Sequence, residues 1–332
     1  MLLGLAITRH CNLRCPHCIR DDVVSPAELD AALIGRIVAQ AQELFGEVRV
    51  TLTGGEPLIH SDLAAIVRAL RARGVRWGFV TNGWHLPRAL ALFDEHPPNA
   101  VRLSLSGATE TTHDAERGRG SFRRVLVAAA VLTSRRIPFS MSLLVDRASR
   151  HDVRAAADLA DTLGALGLYV QLAQPTAVSV SRDADLTPAE CYEIVREVRA
   201  LGGETHRRTR VGLDYGAPPF DDEPPLLCDT FAERRLYVNH HGELSLCCQL
   251  SEYGALPTDV VADLHTVPLA RAYERYRLRL GELRAAAAPA ADDDLLADFP
   301  CLRCARASGK LGWLARHPAS AWHDGAREAV RA

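Results

Sequence analysis

Three cysteines crowd into eight residues near the start of the chain, Cys11-Asn12-Leu13-Arg14-Cys15-Pro16-His17-Cys18, spaced C-x3-C-x2-C. Thiolates are soft ligands that suit zinc or iron–sulfur clusters. Three of them in a tight loop can hold three irons of a four-iron cube and leave the fourth iron open to a ligand. A structural zinc would instead need a fourth donor, which His10 or His17 offers. Further along, Thr53-Gly54-Gly55-Glu56-Pro57 sets a carboxylate beside two glycines, residues that let other backbone come close.

A second group of cysteines lies in the last third. Cys228, Gly242 and Cys247 are spaced C-x13-G-x4-C, and Cys301-Leu302-Arg303-Cys304 follows much later. A hairpin turning at His240-His241-Gly242 brings Cys228 and Cys247 together. The C-x2-C pair then completes four thiolates, enough for a second cube or for a structural zinc. Cys248 is left over, directly beside Cys247, and strand alternation would point it to the opposite face. Cys191, inside the helical run TPAECYEIVREV, reads as a small buried hydrophobe.

The elements that must position these groups alternate along the chain. LAIT, VRVTL, WGFVT, VRLSL, FSMSLLV and LYVQL are short β-rich runs, separated by helical stretches such as DLAAIVRALRARG and FRRVLVAAAVLTSRR. Ser25-Pro26-Ala27-Glu28 and Thr187-Pro188-Ala189-Glu190 read as capping boxes that open helices. Repeated strand–helix units imply parallel strands, and six of them imply a partial barrel. Chemistry in such barrels sits at the C-terminal strand ends. Cys11, Gly54, Asn82 and Ser106 fall there.

Past about Leu213 the pattern changes. GAPPFDDEPP reads as a linker, RRLYVNHHGELSLCCQL as a hairpin and LARAYERYRLRLGELRAA as a helix, with AAAAPAADDDLLADFP as a loop before Cys301. The expected domains are 1–215 and 216–332.

The chain has 332 residues, 48% of them hydrophobic, which is enough for a sizeable core. Its 39 Lys and Arg against 41 Asp and Glu give a net charge of -2, with no basic footprint for nucleic acid and no polybasic membrane signal. No apolar run approaches a membrane span, and the N-terminus lacks a signal-peptide pattern. A cytoplasmic location is expected, where clustered cysteines serve metal or redox chemistry.

With C-x3-C-x2-C after the first strand and GGEP after the second, the sequence resembles the radical S-adenosylmethionine (SAM) superfamily. The segment SLSGATETTHDAERGRGSF looks like that family's SLDG…HDxxRGxGSF signature, with Ser106 where the pattern has Asp. The resemblance implies that Cys11, Cys15 and Cys18 bind a [4Fe-4S] cluster whose open iron takes SAM. It implies that Gly54, Gly55, Glu56 and Pro57 orient the SAM amino group, that His17 lies near the adenine, and that Ser104 and Arg117 contact SAM. Asn82 is either a pocket residue or a turn residue. Reductive cleavage of SAM to a 5′-deoxyadenosyl radical that abstracts a substrate hydrogen is the chemistry implied. The region is thus an α/β partial (β/α)6 TIM-like barrel, with an external flavodoxin- or ferredoxin-like electron donor.

The later cysteines resemble the twitch form of the SPASM/twitch extension, which implies one auxiliary [4Fe-4S] cluster on Cys228, Cys247, Cys301 and Cys304. Cys248 then becomes a candidate hydrogen donor, the alternatives being a buried structural cysteine or a swap in which Cys248 is the cluster ligand and Cys247 is spare. An S–H bond is weaker than an alcohol-type C–H bond, so a thiol quenches a carbon radical downhill; hydrogen removed from one face and returned to the other inverts the carbon, and the neighbouring cluster could reduce the thiyl radical. The expected activity is redox-neutral epimerisation of a hydroxyl- or amine-bearing carbon, resembling neomycin-type aminoglycoside epimerases. The expected substrate is a small molecule such as a polycationic aminosugar, which Asp221-Asp222-Glu223 and Asp292-Asp293-Asp294 would attract unless they are ordinary solvated loops. The alternatives are a twitch-type dehydrogenase, which makes a ketone, and an enzyme that modifies a ribosomal peptide. The absence of room before residue 4 for a leader-gripping domain counts against the last.

Overall fold

The computed structural model describes residues 1–19, 27–214, 228–253, 256–288, 296 and 298–323. The linker GAPPFDDEPP, both acidic triplets and the 215/216 boundary lie outside these residues, as does half of the Ala/Pro/Asp stretch. All six β-rich runs form strands: β1 (Leu2–Thr8), β2 (Arg49–Gly54), β3 (Arg76–Thr81), β4 (Ala100–Leu105), β5 (Phe139–Val145) and β6 (Gly167–Leu172). Between and after them lie α1 (Ala31–Phe45), α2 (Leu63–Ala72), α3 (Leu90–Glu95), α4 (Glu110–Arg117), α5 (Ser121–Ser134) and α6 (Val153–Leu163). The six strands pair in chain order and in parallel, as the partial barrel requires. Parallel strands covered by helices are buried on both faces and so read as nearly unbroken apolar runs; β1, LLGLAIT, is buried at all positions but its first.

The longer helices each present one apolar stripe to the core. On α1 the buried residues are Leu33, Ile34, Ile37, Val38 and Ala41, an i, i+3, i+4 pattern. Each fully buried Leu or Ile side chain contributes about 1.5–3 kcal/mol. The first expected capping box is not what starts this helix: Asp30 is the N-cap, accepting from the Leu33 N–H, while Ser25 and Pro26 lie outside the described residues. Glu28 instead bridges back to Thr8. The second box forms as expected. After α7 (Ala177–Ser181), Thr187 and Glu190 cap α8 (Pro188–Gly202) reciprocally, and Cys191 is buried on that helix.

The sheet is longer than the six runs. β7 (Arg210–Leu213) adds in parallel beyond β6. At the other edge β8 (Arg235–Val238) pairs in parallel with β1, and β9 (Glu243–Ser245) and β10 (Val260–Asp263) continue antiparallel. The order is β10-β9-β8-β1-β2-β3-β4-β5-β6-β7. The hairpin therefore extends the sheet itself rather than standing apart from it. Its turn uses Gly242 at φ +78°, with the Asn239 side chain accepting from the His241 and Glu243 N–H groups.

Three helices complete the extension: α9 (Cys248–Glu252), α10 (Leu269–Ala286) and α11 (Pro300–Ala307). A buried ion pair ties the first of these helices to the chain just past the last. Lys310, just past α11, donates from Nζ to Asp259 Oδ1 (2.7 Å) and to the Leu250 carbonyl of α9 (2.6 Å), and both side chains are almost wholly buried. The Asp259 carbonyl in turn accepts from the Leu246 N–H beside Cys247. Removing one member of a buried pair strands the other charge, so Lys310→Met is expected to cost about 3–5 kcal/mol. Lys310→Met combined with Asp259→Leu should recover most of the lost melting temperature. An unchanged melt in the single variant would contradict the role given to the pair.

Candidate active site

The C-terminal ends of β1 to β4 hold the motif residues, and backbone contact locks the first two loops together. Gly55 N–H donates to the Thr8 carbonyl (2.7 Å) and Glu56 N–H to the His10 carbonyl (2.8 Å). A Cβ on Gly55 would lie 1.8 Å from the His10 carbonyl oxygen; one on Gly54, itself at φ +114°, would lie 2.3 Å from the Thr8 oxygen. The two glycines are therefore needed for β2's loop to press against the chain entering the cysteine loop.

Glu56 is buried. Oε1 accepts from the Thr81 hydroxyl (2.7 Å) and the Leu58 N–H (3.2 Å), and Oε2 from the Asn82 N–H (2.8 Å). Burial pushes its carboxyl up to about 6, against the pull of those donors. Pro57 follows as the first residue of a short 3-10 turn. Asn82 donates from Nδ2 to Asn12 Oδ1 (3.0 Å) and accepts from the Trp84 N–H (2.9 Å), so it joins β3's turn to the cysteine loop. Of the two readings of Asn82, these contacts match the turn residue, which also braces the cysteine loop, and Asn82 is not among the residues that line the barrel cavity.

Within the cysteine loop, Cys11 Sγ accepts from the Leu13 N–H (3.4 Å) and Cys18 N–H donates to the Cys15 carbonyl (3.0 Å). All three thiols are partly exposed and free of disulfides. His17 Nδ1 meets Glu116 Oε2 at 2.9 Å, and Arg182 approaches the other Glu116 oxygen at 3.5 Å. Burial holds the His17 imidazole below its ordinary range, and the hydrogen bond from His17 holds the Glu116 carboxyl low. The pair is thus a neutral imidazole donating to a carboxylate.

The HDAERGRGSF segment proves largely a scaffold. Asp114 caps α5 by accepting from the Phe122 N–H (2.8 Å), the Ser121 hydroxyl (2.9 Å) and the Gly120 N–H. His113 is fully buried, and its Nδ1 accepts from the Ser106 N–H (3.3 Å). Ser106, without an assigned role in the sequence reading, accepts from Arg117 Nε at 2.7 Å and so aims that guanidinium.

These loops open on a cavity of about 630 Å³ inside the barrel. His17, Cys18, Ser104 and Arg117 line it from one side. Cys248, Gln249 and Glu252 line it from the extension. The strand argument for Cys248 needs correction: β9 ends at Ser245, Cys247 is the N-cap of α9, and Cys248 is the first residue of that helix. Strand alternation therefore does not set the direction of either thiol; Cys248 lines the cavity and also lies within electrostatic reach of Cys247 and Cys301. Cys247 Sγ accepts from the Leu250 N–H (3.3 Å).

Cys247 lies within electrostatic reach of Cys248, Cys301 and Cys304, and Cys301 within reach of Cys228, Cys304 and Cys248, so five thiols gather here and both members of the adjacent pair approach Cys301. Burial first, and then the neighbouring cysteines, raise Cys247 and Cys301 well above the usual thiol range; burial chiefly pushes Cys304 up to about 12. Among the described residues no three His, Cys, Asp or Glu side chains lie close enough together to hold a single metal ion. Buried thiols of this kind are deprotonated when a metal coordinates them.

Residues 5–160 match the profile of the Radical SAM superfamily. The chain carries a radical SAM domain. The superfamily's cofactors are SAM and a [4Fe-4S] cluster, and the donor set fits them: three soft thiols in one loop with a cavity beside them. An auxiliary cluster in the extension accords with the relatives found. Among the similar curated proteins are the PqqA peptide cyclase of Ruegeria pomeroyi, 27% identical over 226 residues, covering 67% of this chain and 60% of that protein. Another is the AdoMet-dependent heme synthase of Methanosarcina barkeri, 29% identical over 198 residues, covering 58% and 56% respectively. The chain thus spans about 60% or less of the length of these relatives. In structure, Streptococcus suis SuiB bound to S-adenosylmethionine gives a TM-score of 0.68 at 13% identity, covering 97% of this chain and 73% of SuiB. SuiB bound to its precursor peptide SuiA gives 0.65, covering 97% and 74% at 13% identity, a likeness of fold.

The contact at Gly55 leads to a direct expectation for the radical SAM loop. Gly55→Ala should destabilise by at least about 1–3 kcal/mol, as overpacking does, and lower the iron that the chain takes up on reconstitution. Gly281→Ala on α10, where nothing lies within 4 Å of the added carbon, is the control and should be neutral or stabilising. Equal behaviour of the two variants in melts and iron assays would contradict the contact's role.

His113 gives a pH dependence. Burial, and then Arg117, lower its pKa from 6.5 to about 3. The folded state thus binds fewer protons than the unfolded, and stability is lost as pH falls from 6.5 toward 3. About 2 kcal/mol should go between pH 6.5 and 5. His113→Gln, which cannot charge, should flatten that part of the stability–pH curve; an unchanged slope would contradict the assignment.

Proposed function

We propose that the chain is a radical SAM enzyme that removes a hydrogen from a peptide substrate and returns one through Cys248, inverting the carbon. Cys11, Cys15 and Cys18 would hold the SAM-binding cluster, and Cys228, Cys247, Cys301 and Cys304 the auxiliary one. Once bound, the cluster and SAM supply a potent hydrogen-atom abstractor by one-electron reduction. Gly54 and Gly55 keep the loops in contact, Glu56 and Asn82 brace them, and Arg117, aimed by Ser106, with Ser104 would meet the anionic and hydroxyl groups of SAM. His17, steadied by Glu116, would face its adenine. The external electron donor is a flavodoxin- or ferredoxin-like protein.

The observation that carries the reaction type is Cys248 on the cavity wall. The S–H bond breaks as the new C–H bond forms on the substrate radical, leaving a thiyl radical that needs one electron from the external donor and one proton from solvent. Two features support a peptide over the polycationic aminosugar. The relatives include PqqA peptide cyclases, and the structural neighbour SuiB binds a precursor peptide. The cavity wall carries Arg49, Arg76, Arg102, Arg117 and Arg235, four of them ion-paired with Glu47, Asp214 or Asp229, and its one lining carboxylate among the described residues, Glu252, faces Arg9, so the wall offers a polycation few acidic contacts.

In deuterated solvent the wild-type enzyme is expected to place one deuterium at the inverted carbon. Cys248→Ala should keep SAM cleavage and lose the inverted product. A carbonyl product would favour the dehydrogenase instead, and normal inversion by Cys248→Ala would remove the thiol from the mechanism.

A further inference from the structure

Small side chains give the barrel cavity its room: Thr51 of β2, Gly78 of β3, Ser104 of β4, and Ser140 and Ser142 of β5 all line it. Among them stands a long cationic side chain, Arg102. Arg49, Arg76 and Arg235 are the first residues of β2, β3 and β8, at the rim where those strands begin. Arg102 is the third residue of β4 and sits deeper. Alternation puts it on the same inward face as Ser104, one step of about 6–7 Å further from the C-terminal strand ends.

The guanidinium is held in place but not used up. Asp214 Oδ2 accepts from Nη1 at 2.8 Å, and the same oxygen accepts from Gln171 Nε2 at 2.9 Å. The Tyr169 ring lies against the guanidinium, its centroid 4.7 Å from Cζ. Asp214 thus takes one of five N–H donors. The Arg102 side chain is 30% exposed, and Nε and Nη2, which have no partner among the described residues, are not sealed off as the unpaired Arg235 Nε is. Those two nitrogens form one edge of the guanidinium, the fork that takes a carboxylate through two parallel hydrogen bonds. Ser140, opposite Arg102 in the β4–β5 register, lines the cavity beside it with a hydroxyl. The surrounding charge has the matching sign. Glu47 serves both Arg49 and Arg76, and Arg117 meets a hydroxyl, so the guanidiniums at this cavity outnumber the carboxylates.

We propose that Arg102 anchors a carboxylate of the peptide substrate through Nε and Nη2. The proposal rests on the reading of the cavity as the substrate site and deepens it: the peptide presents either an acidic side chain or its own C-terminus. The carboxylate is held deeper in the barrel than Ser104, which leaves the carbons beside it between the anchor and the strand ends.

Ligand-observed saturation-transfer NMR titrations on the anaerobically reconstituted, SAM-loaded holoenzyme test it. The probes are N-acetylglutamic acid α-amide for a side-chain carboxylate, N-acetylalanine for a terminal one, and N-acetylglutamine α-amide as the neutral match. The wild type should bind at least one acid about tenfold tighter than the neutral amide, and the tighter acid identifies the source. Arg102→Gln should erase that preference. Arg102→Lys, which keeps a cation opposite Asp214 but lacks the fork, should retain only part of it. Arg76→Gln, at the rim and paired with Glu47, should retain all of it. SAM binding in the same samples reports the fold, and should Arg102→Gln lose it, Arg102→Lys carries the comparison.

Equal binding of acids and amide by the wild type would overturn the proposal, as would no binding of any probe. An undiminished preference in both Arg102 variants, or its loss in Arg76→Gln, would overturn the assignment to Arg102. A carbonyl product in deuterated solvent, with these binding results intact, would instead count against the hydrogen-return reading alone.

Discussion

Everything at the top of the barrel depends on one close approach, the backbone of Gly54 and Gly55 pressed against Thr8 and His10. A side chain at Gly55 has no space, so the loop after β2 can serve as a fixed floor for the loop after β1. Glu56 then carries the constraint onward. Its two oxygens collect donors from its own turn and from β3's end, at Leu58, Thr81 and Asn82, and Asn82 reaches back to Asn12 between the first two cysteines. Three strand ends are thereby made into one rigid rim. Burying that carboxylate raises its pKa, a cost that the three donors partly offset.

The extension solves a different problem, that of holding a second group of thiols in fixed register with the barrel. It does so by joining the sheet: β8 pairs with β1, the strand that delivers the cysteine loop. The two cysteine groups are therefore referred to the same strand. The Lys310–Asp259 pair connects the C-x2-C helix to the Cys247–Cys248 step. A buried ion pair is weak support for stability compared with apolar packing, but it defines orientation, and orientation is what a hydrogen-donating thiol requires.

The sequence made the barrel legible because parallel, doubly covered strands are continuous apolar runs and their helices have clear stripes. Its rim was legible because Cys11, Gly54, Asn82 and Ser106 directly follow such runs. The rest depended on contacts distant in sequence. Nothing local announces that His17 meets Glu116, 99 residues away, or that Lys310 meets Leu250, 60 residues away. The Ser25 capping box looked sound on local pattern, yet Asp30 caps the helix because Glu28 is drawn to Thr8 and Ser61. Cys248 was assigned its direction by strand alternation, whereas the strand stops two residues before Cys247 and Cys248 opens a helix. Ser106 fits the signature poorly by residue type but keeps a hydrogen bond to Arg117. The short strands β7 and β10 are only four residues each and carry no distinctive pattern.

The central claim is that the early thiols and the late thiols hold two separate clusters, with SAM bound at the first. Counting iron and acid-labile sulfide after anaerobic reconstitution tests it most directly, in the wild type and in a variant with Cys11, Cys15 and Cys18 all replaced by Ala. Two cubes correspond to about eight irons and eight sulfides per chain, and loss of the first site to about four of each, with SAM binding abolished in the variant alone. Zinc in place of iron, or a variant that keeps the full iron count and still binds SAM, would contradict the account.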